Sequence, residues 1–361
     1  MFTESLTRRA LRRTVAAIDG FAAPHGIDRY VEQVVPTWST TEVRGKVVAV
    51  DRSATGSVAL TVEANGNWTG FTAGQYTQLS VEIDGVRQTR CYSMCSAAPG
   101  GEQNRRRFQL GIKAHPQGLV SRWLVANARL GLVVGLTPAA GEFVLPVDRP
   151  ERVLLISGGS GITPVLSMLR TLCADGHGGP VTFLHYNASP DAVLFGDDIA
   201  ALEAAHPNVR VVMLYNELLS EAHLDMADPQ WRDADAFVCG PPPMMDAVRA
   251  HYEAAGAAQR FHNEAFTLAA FVGEAGTIGG AVHFATSGLQ VESDGRTLLE
   301  QAEAAGLTPL TGCRMGICHT CPRLLKGGTV RDAVTGELTS DAGVDVRICV
   351  SVPVGDVEID L

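Results

Sequence analysis

What this sequence lacks narrows its function before any motif is considered. No apolar run is long enough to cross a bilayer, which takes about 20 consecutive apolar residues. Acids outnumber bases, 39 against 29, and the net charge of −10 argues against nucleic acid as a partner. The arginines at residues 8–13 are not followed by the apolar core of a signal peptide. We therefore expect a cytoplasmic protein whose cysteines stay reduced.

The pattern of residue types changes four times along the 361 residues of the chain. A chain of this length is expected to form more than one domain. Residues 1–42 form a leader in which positions 4–18 favour a short helix. Short strands between turn residues over 43–147 predict a small antiparallel β-barrel. Strands alternating with helices over 148–266 predict a parallel-sheet α/β domain. A glycine-rich linker, 267–280, leads to a small α+β domain at 281–361.

Four cysteines near the C-terminus carry the most specific spacing in the chain. They follow C-x4-C-x2-C with a distant fourth member, the ligand pattern of a plant-type [2Fe-2S] cluster. A zinc site is the alternative, but it would need a second closely spaced cysteine pair, which is missing. A disulfide pair would need an oxidising compartment. The predicted metal ligands are Cys313, Cys318, Cys321 and Cys349.

A second motif lies at the end of a strand in the predicted barrel. Arg90 suits a diphosphate, Tyr92 offers a flat face to a ring system, and Ser93 adds a hydroxyl. Downstream, Gly118 and Ser121 open a helix whose N-terminus favours further phosphate charge. Taken singly these signals are weak, because Arg90 would also suit a barrel salt bridge and Tyr92 the core.

The third motif is the loop 158–164, Gly-Gly-Ser-Gly-Ile-Thr-Pro, between a predicted strand and helix. Its glycines permit close approach of a pyrophosphate, although it is not the G-x-G-x-x-G fingerprint and a purely structural turn is the alternative. Considered without its neighbours, Cys239 would be interpreted simply as a buried cysteine in a strand. The candidate nucleotide-binding residues are Gly158, Gly159, Gly161, Thr163, Cys239 and Gly240. Because Ala188 follows the second strand, with no arginine or acid there, NADH and NADPH both stay open.

In this order the motifs resemble the ferredoxin–NADP reductase superfamily, with its R-x-Y-S, G-x-x-S, G-G-x-G-I-T-P and C-G-P signatures, fused to a plant-type ferredoxin. The resemblance covers about residues 43–361. It implies an FAD-binding barrel, an NAD(P)-binding domain and a β-grasp-like ferredoxin domain, with FMN as the alternative flavin. It implies catalytic roles for Ser93 and Cys239 between flavin and nicotinamide. It also implies that Phe266 covers the flavin, with simple packing against the linker as the alternative.

The same resemblance implies electron transfer from NAD(P)H through FAD and the cluster to an external acceptor, an oxygenase or desaturase component. A fatty-acid or acyl-CoA desaturase, or another di-iron monooxygenase, is the favoured partner. The alternatives are the reductase of a ring-hydroxylating or hydroxylase system, a partner-independent oxidase or ferric reductase, and a carrier that has lost its flavin. The basic leader is read as a solvated helix or as a contact with a membrane-bound partner. The acidic excess in 281–361 is read as a solvated surface or as steering of a basic partner.

Overall fold

Three sheets follow one another along the chain in the computed structural model. The structure describes residues 28–98, 105–116, 118–266, 279–312, 314, 316 and 320–361. The predicted helix at 4–18, most of the predicted linker, Cys313 and Cys318 lie outside the described residues. The three sheets lie within the predicted ranges 43–147, 148–266 and 281–361, while the domain boundaries themselves stay predictions.

The first sheet is an antiparallel barrel that encloses its own apolar core. Its strands, in the order β4-β3-β6-β1-β2-β5, are β1 Val43–Asp51, β2 Ser57–Ala64, β3 Tyr76–Ile83, β4 Val86–Ser93, β5 Arg107–Lys113 and β6 Val133–Leu136. A bridge between Met94 and Leu110 joins the two outer strands. Helix α2, Leu119–Asn127, buries Val120 and Leu124 in the barrel core. The short strand β6 is not evident from the sequence, because its four residues, Val-Val-Gly-Leu, do not alternate between apolar and polar types.

The last part of the predicted leader is fastened to this barrel. A helical turn, α1 Asp28–Val31, begins at Asp28. The Asp28 carboxylate accepts hydrogen bonds from the Trp38 indole at 3.0 Å and from the Thr40 amide at 2.9 Å. The Asn67 side chain donates to the carbonyl oxygens of Ser39 and Glu42 at 2.9 and 2.8 Å. The segment 28–42 is therefore part of the barrel rather than a free tail.

The second sheet is parallel and buried on both faces. Its strands, in the order β11-β10-β7-β8-β9, are β7 Val153–Gly158, β8 Val181–Asn187, β9 Val209–Tyr215, β10 Asp235–Cys239 and β11 Phe261–Glu264. The covering helices are α3 Ile162–Ala174, α4 Gly196–Ala205, α5 Glu221–Ala227 and α6 Pro242–Ala254. Leu154 and Leu155 on β7 enter separate apolar clusters, one on each side of the sheet. This arrangement brings the glycine loop and Cys239 to the carboxyl edge, where α/β sheets bind ligands.

The third sheet belongs to the cysteine-bearing domain. Its strands are β12 Ala281–Phe284, β13 Leu289–Glu292, β14 Pro322–Asp332, β15 Leu338–Thr339, β16 Val344–Arg347 and β17 Ser351–Ile359. Helix α7, Leu298–Ala304, starts with a capping box between Thr297 and Glu300 and buries its apolar face against this sheet. The predicted multidomain fold class is confirmed. None of the helices in the described parts of the chain has the length and apolar character needed to cross a bilayer.

The first prediction concerns His185, which is fully buried on β8 with its Nδ1 atom 2.8 Å from the Ser157 hydroxyl. Burial lowers the pKa of His185 from 6.5 to about 4, so the folded protein keeps this ring neutral while the unfolded chain protonates it below pH 6.5. Stability is therefore lost as pH falls from 6.5 towards 4. Between pH 7 and pH 5 the wild type should lose about 2 kcal/mol of unfolding free energy relative to His185→Gln.

Urea unfolding at both pH values measures this difference. His206→Gln, which replaces a partly exposed histidine, is the control and should follow the wild type. Parallel pH profiles for wild type and His185→Gln would contradict the assignment of a neutral buried ring.

Candidate functional site

The glycine loop and the Cys239 segment pack against each other backbone to backbone. A Cβ atom at Gly161 would lie 2.1 Å from the Cys239 carbonyl oxygen, so no side chain fits there. Gly240 is also close to the loop, because its own Cβ would lie 3.0 Å from the Gly158 nitrogen. Helix α3 starts in this loop without a side-chain cap, and the positive end of its dipole therefore lies at the loop.

Thr163 and Gly159, the other predicted residues of the loop, face the barrel. The Thr163 hydroxyl donates to the Ser160 carbonyl at 3.1 Å, and its methyl group would lie 2.9 Å from a Cβ at Gly111 on β5. A Cβ at Gly159 would lie 3.9 Å from the Lys113 Nζ atom at the end of β5. The loop is thus bordered by the barrel and by a barrel cation.

The Arg-x-Tyr-Ser motif occupies the last four positions of strand β4. Tyr92 packs against the barrel core, and burial raises the pKa of its phenol. Ser93 is buried opposite Tyr76 on β3. Arg90 is half-buried and donates from Nη1 to the Thr89 carbonyl at 2.7 Å, which leaves its other donors for a ligand.

The segment directly after Ser93 ties the barrel to the nucleotide domain. The Ser167 hydroxyl donates to the Ser96 carbonyl at 2.8 Å, and the Ala98 amide donates to Thr171 Oγ1 at 2.9 Å. Arg170 donates to the Cys95 carbonyl at 2.9 Å. All three partners lie on α3, the helix that begins in the glycine loop. These hydrogen bonds connect the segment that follows the Arg-x-Tyr-Ser motif to the helix that begins in the glycine loop.

Gly118 and Ser121 border the N-terminus of α2. Gly118 is the residue directly before the helix, and the Ser121 hydroxyl accepts a hydrogen bond from the His115 amide at 3.1 Å. This bond orients the turn that leads from β5 into the helix. The helix has no side-chain cap at its start, so its first amides are available to a phosphate.

Two of the four predicted metal ligands lie side by side in the core of the third domain. Cys321 and Cys349 are both buried in one apolar cluster, and the Ile348 amide donates to the Cys321 carbonyl at 3.4 Å. Gly316, in the loop between the other two predicted ligands, has φ +75°. A Cβ atom at Gly316 would lie 2.9 Å from a methyl carbon of Val350, so the loop packs closely against that side chain. Arg347 holds this loop by donating to the Gly316 carbonyl at 2.6 Å.

Comparison with known proteins gives the same three parts in the same order. Residues 51–145 match an oxidoreductase FAD-binding domain, 155–250 an oxidoreductase NAD-binding domain and 282–354 a 2Fe-2S iron-sulfur cluster binding domain. The chain is 36% identical over 359 residues to an NADPH oxidoreductase of Mycobacterium tuberculosis, covering 98% of this chain and 92% of that protein. The chain belongs to the ferredoxin reductase family of flavoproteins with a fused [2Fe-2S] domain.

Other relatives of the reductase agree with this assignment. It is 31% identical to the glycine betaine monooxygenase reductase subunit of Pseudomonas aeruginosa, over 80% of this chain and 87% of that protein. Among solved structures, phthalate dioxygenase reductase matches with a TM-score of 0.62 at 22% identity, over 88% of this chain and 97% of that chain. The latter match shows the fold. The predicted oxidoreductase class and the predicted FAD, nicotinamide nucleotide and [2Fe-2S] cofactors are confirmed.

The residues of the reductase fit these cofactors chemically. A half-buried guanidinium with spare donors and two uncapped helix starts suit the phosphates of FAD and of the nicotinamide nucleotide. The buried pair Cys321 and Cys349 supplies soft sulfur ligands of the kind that iron–sulfur clusters require. Phe266 packs against the apolar cluster that contains Cys239, next to the edge where the nicotinamide is expected.

Sequence reasoning missed one acid at this edge. Glu264 ends β11 directly beside Cys239 in the parallel pairing. Its Oε2 atom is buried with no hydrogen-bond partner among the described residues, and burial raises the pKa of the carboxyl group to about 8. The available signal was an acid at a strand end beside a cysteine motif, although only the pairing of β10 with β11 brings the two together. Lys113 was missed for the same reason, since it reaches the loop from another domain.

The second prediction tests the buried acid. Because the folded pKa of Glu264 is raised from 4.5 to about 8, the unfolded chain ionises first and stability is lost as pH rises between these values. Glu264→Gln removes that loss. The variant should gain on the order of 2 kcal/mol over wild type between pH 5 and pH 7, measured by denaturant unfolding of the FAD-loaded protein. The control Glu253→Gln, an exposed glutamate on α6, should show no pH-dependent gain; an equal gain in both variants would refute the raised pKa.

The third prediction concerns the connection through Arg170, which also donates to Gln109 at 2.8 Å and pairs with Asp198. Its side chain is only 12% exposed, so Arg170→Ala removes several buried contacts. We expect a loss of about 2 kcal/mol in unfolding free energy and slower reduction of the flavin by NAD(P)H in stopped-flow experiments. Arg210→Ala, at an exposed position of the same domain, should alter neither quantity. A normal rate with Arg170→Ala would mean that this connection does not align the two sites.

Proposed function

We propose that the reductase passes electrons from NAD(P)H through FAD and its [2Fe-2S] cluster to an external oxygenase component. The observation that carries this proposal is the direct hydrogen bonding of segment 95–98 to α3. It fastens the strand that ends in Ser93 to the helix that begins at the glycine loop. FAD, when bound, accepts a hydride and releases electrons singly, which is the exchange that a [2Fe-2S] centre requires.

In this proposal the residues of the chain bind the cofactors, orient them and shield them from water. Arg90, with the start of α2 at Gly118 and Ser121, holds the flavin phosphates, while Tyr92 and Ser93 position the ring. The glycine loop with Thr163 and the start of α3 hold the nucleotide pyrophosphate. Lys113 adds a positive charge beside Gly159, within reach of the same phosphates.

Cys239, Glu264 and Phe266 form the side of the proposed site from which water is excluded. Burial raises the pKa of the Cys239 thiol well above its ordinary value, so it presents a neutral S–H group rather than a thiolate. Glu264, with its pKa near 8, holds a proton at neutral pH beside that thiol. Phe266 packs onto the same apolar cluster and helps to exclude water. A neutral, water-poor edge suits hydride transfer, because neither group places a negative charge there and bulk water is kept away.

Relatives support an oxygenase component as the acceptor. Two relatives are named as a glycine betaine monooxygenase reductase subunit and as the ferredoxin reductase component of a 3-ketosteroid-9-alpha-monooxygenase. Within this class we propose a desaturase or other di-iron monooxygenase, rather than a ring-hydroxylating system. The match to the mycobacterial NADPH oxidoreductase spans 98% of the chain, so it includes most of the leader, whereas the monooxygenase reductases match about 80%. Residues 1–42 are therefore the segment to test for contact with a membrane-bound partner.

We propose NADPH as the preferred nicotinamide nucleotide. The named activity of the 36% identical relative supports this choice. The position at Ala188 provides no guanidinium for a 2′-phosphate, so another group would have to bind it. Steady-state turnover with each nucleotide tests the proposal, and equal or better kcat/KM with NADH would contradict it.

The fourth prediction separates the flavin from the cluster. Cys318→Ser removes a proposed cluster ligand, and Cys173→Ser, outside the ligand set, is the matched control. We expect Cys318→Ser to lose the cluster absorbance and most cytochrome c reduction, while flavin reduction by NADPH in stopped-flow experiments stays near wild type. Should cytochrome c reduction persist without the cluster, the proposed route from flavin to cluster would be wrong.

A further inference from the structure

A connected row of polar side chains is buried at the carboxyl ends of β7 and β8. Ser157 and His185, which pair with each other across these strands, are both fully buried, and the Ser157 hydroxyl lies 2.8 Å from His185 Nδ1. Asn187, two residues further along β8, is 9% exposed, and its Nδ2 atom lies 3.3 Å from His185 Nε2. Apolar residues would fill these three positions without the desolvation penalty of polar groups, so we expect this polar row to act on its surroundings.

Backbone groups fix the direction of the hydrogen bonds in the polar row. The Ala188 amide donates to Asn187 Oδ1 at 2.9 Å, and Asn187 Nδ2 donates to the Ala192 carbonyl at 3.1 Å. Because Nδ2 is a donor, the Nε2 atom of His185 that faces it is unprotonated and accepts. The ring proton of the neutral histidine then lies on Nδ1 and is donated to the Ser157 hydroxyl. One tautomer of His185 therefore connects β7 to the residues that follow β8.

Those residues, 188–192, form a segment that we call the β8 loop, and the barrel holds it from the other side. The Thr55 amide donates to the Asp191 carbonyl at 2.8 Å, and the Thr55 hydroxyl donates to the Asp191 carboxylate at 2.8 Å. Ala188 and Pro190 are exposed between these two attachments. The β8 loop is thus fixed at both ends while its middle stays accessible to a ligand.

The β8 loop lies beside the glycine loop. Gly158, the first residue of the glycine loop, pairs with Tyr186, the last but one residue of β8. A Cβ atom at Gly111 of the barrel would lie 2.9 Å from a methyl carbon of Thr163 and 3.2 Å from a methyl carbon of Leu194. Residues of the glycine loop and residues just after the β8 loop therefore meet the barrel at one point. Ligands of α/β sheets bind outside the carboxyl ends of the strands, where both loops lie.

We propose that His185 and Asn187 are positioning residues that hold the β8 loop in the conformation that binds the nicotinamide nucleotide. This inference rests on the proposed placement of the nucleotide pyrophosphate at the glycine loop. The two side chains act through the loop and not by touching the ligand. Without them the Ala192 carbonyl loses its donor, and the loop has to be ordered when the nucleotide binds, which weakens binding. Hydride transfer from the bound nucleotide is unaffected, so the effect falls on KM rather than on kcat.

The decisive experiment measures nucleotide binding without turnover. The full chain, loaded with FAD and its cluster, is titrated with NADP⁺ and with NAD⁺ in a calorimeter. Asn187→Leu keeps the branched shape of asparagine but has no polar atoms. It should raise the Kd of the tighter nucleotide about tenfold, the effect of losing a buried hydrogen bond, and raise KM to match while kcat stays within about twofold.

Asn208→Leu is the matched control. The Asn208 side chain also donates to two backbone carbonyls, those of His177 at 2.8 Å and Gly179 at 2.7 Å, but at the opposite edge of the same sheet. Urea unfolding should show a comparable loss of stability in both leucine variants, while Asn208→Leu keeps its nucleotide Kd within about twofold of wild type. A merely structural role for Asn187 would make the two variants alike.

Variants of the histidine test the direction of the hydrogen bonds. His185→Gln keeps an amide oxygen that can accept from Asn187, and it should hold the nucleotide Kd within about threefold of wild type. His185→Leu cannot accept and should behave as Asn187→Leu does. Nitrogen NMR shifts of the His185 ring, assigned by their loss in His185→Gln, should show the tautomer with its proton on Nδ1. A proton on Nε2 instead would contradict the assigned row of hydrogen bonds.

Two results would overturn the inference: an unchanged nucleotide Kd in Asn187→Leu, or an equal rise in Asn208→Leu. Lys113→Ala distinguishes this failure from failure of the proposed site, because it removes the cation beside Gly159 and leaves the polar row intact. If Lys113→Ala weakens nucleotide binding while Asn187→Leu does not, only the role of the β8 loop is wrong. If neither variant weakens binding, the proposed nucleotide site is wrong as well.

Discussion

The contact between segment 95–98 and helix α3 is the interaction on which the rest of the site depends. Ser167, Arg170 and Thr171 each hold one backbone group of a segment that begins two residues after Ser93. Because α3 also starts the glycine loop, a shift of the barrel would move the flavin strand and the nucleotide loop together. Hydride transfer requires two rings within contact distance, and we propose that this connection sets that distance.

Close packing at the glycine loop adds the second constraint. The contact of Gly161 with the Cys239 carbonyl brings β7 and β10 together at their carboxyl ends, where nothing larger than hydrogen fits. Glu264 then falls beside Cys239 because β11 pairs with β10. The thiol and the carboxyl are both kept neutral by burial, so neither group places a charge at this edge of the sheet. Its polarity comes instead from the helix starts and from Lys113 and Arg90 at the periphery.

Much of this architecture could be predicted from local patterns. Turn residues bound the strands around Val58 and Phe108, and helix α3 follows a glycine loop; both signals are short-range. The strand β14 escaped prediction because Gly327 and Gly328 interrupt it, and such a pair usually marks a turn. It is a strand because β17 pairs with it on one side and β15 and β16 pair with it on the other, and that pairing involves residues distant in sequence.

The sequence by itself determined the cofactors of this protein. Cysteine spacing, the Arg-x-Tyr-Ser motif and the glycine loop are local signals, because each consists largely of residues close together in the chain. The tertiary structure alone decided which groups that are distant in the chain meet. The residues that form the pairs Glu264 and Cys239, and Lys113 and Gly159, are far apart in sequence, and no periodicity indicates such contacts. The raised pKa values of Glu264 and Cys239 follow from burial, which exists only in the folded domain.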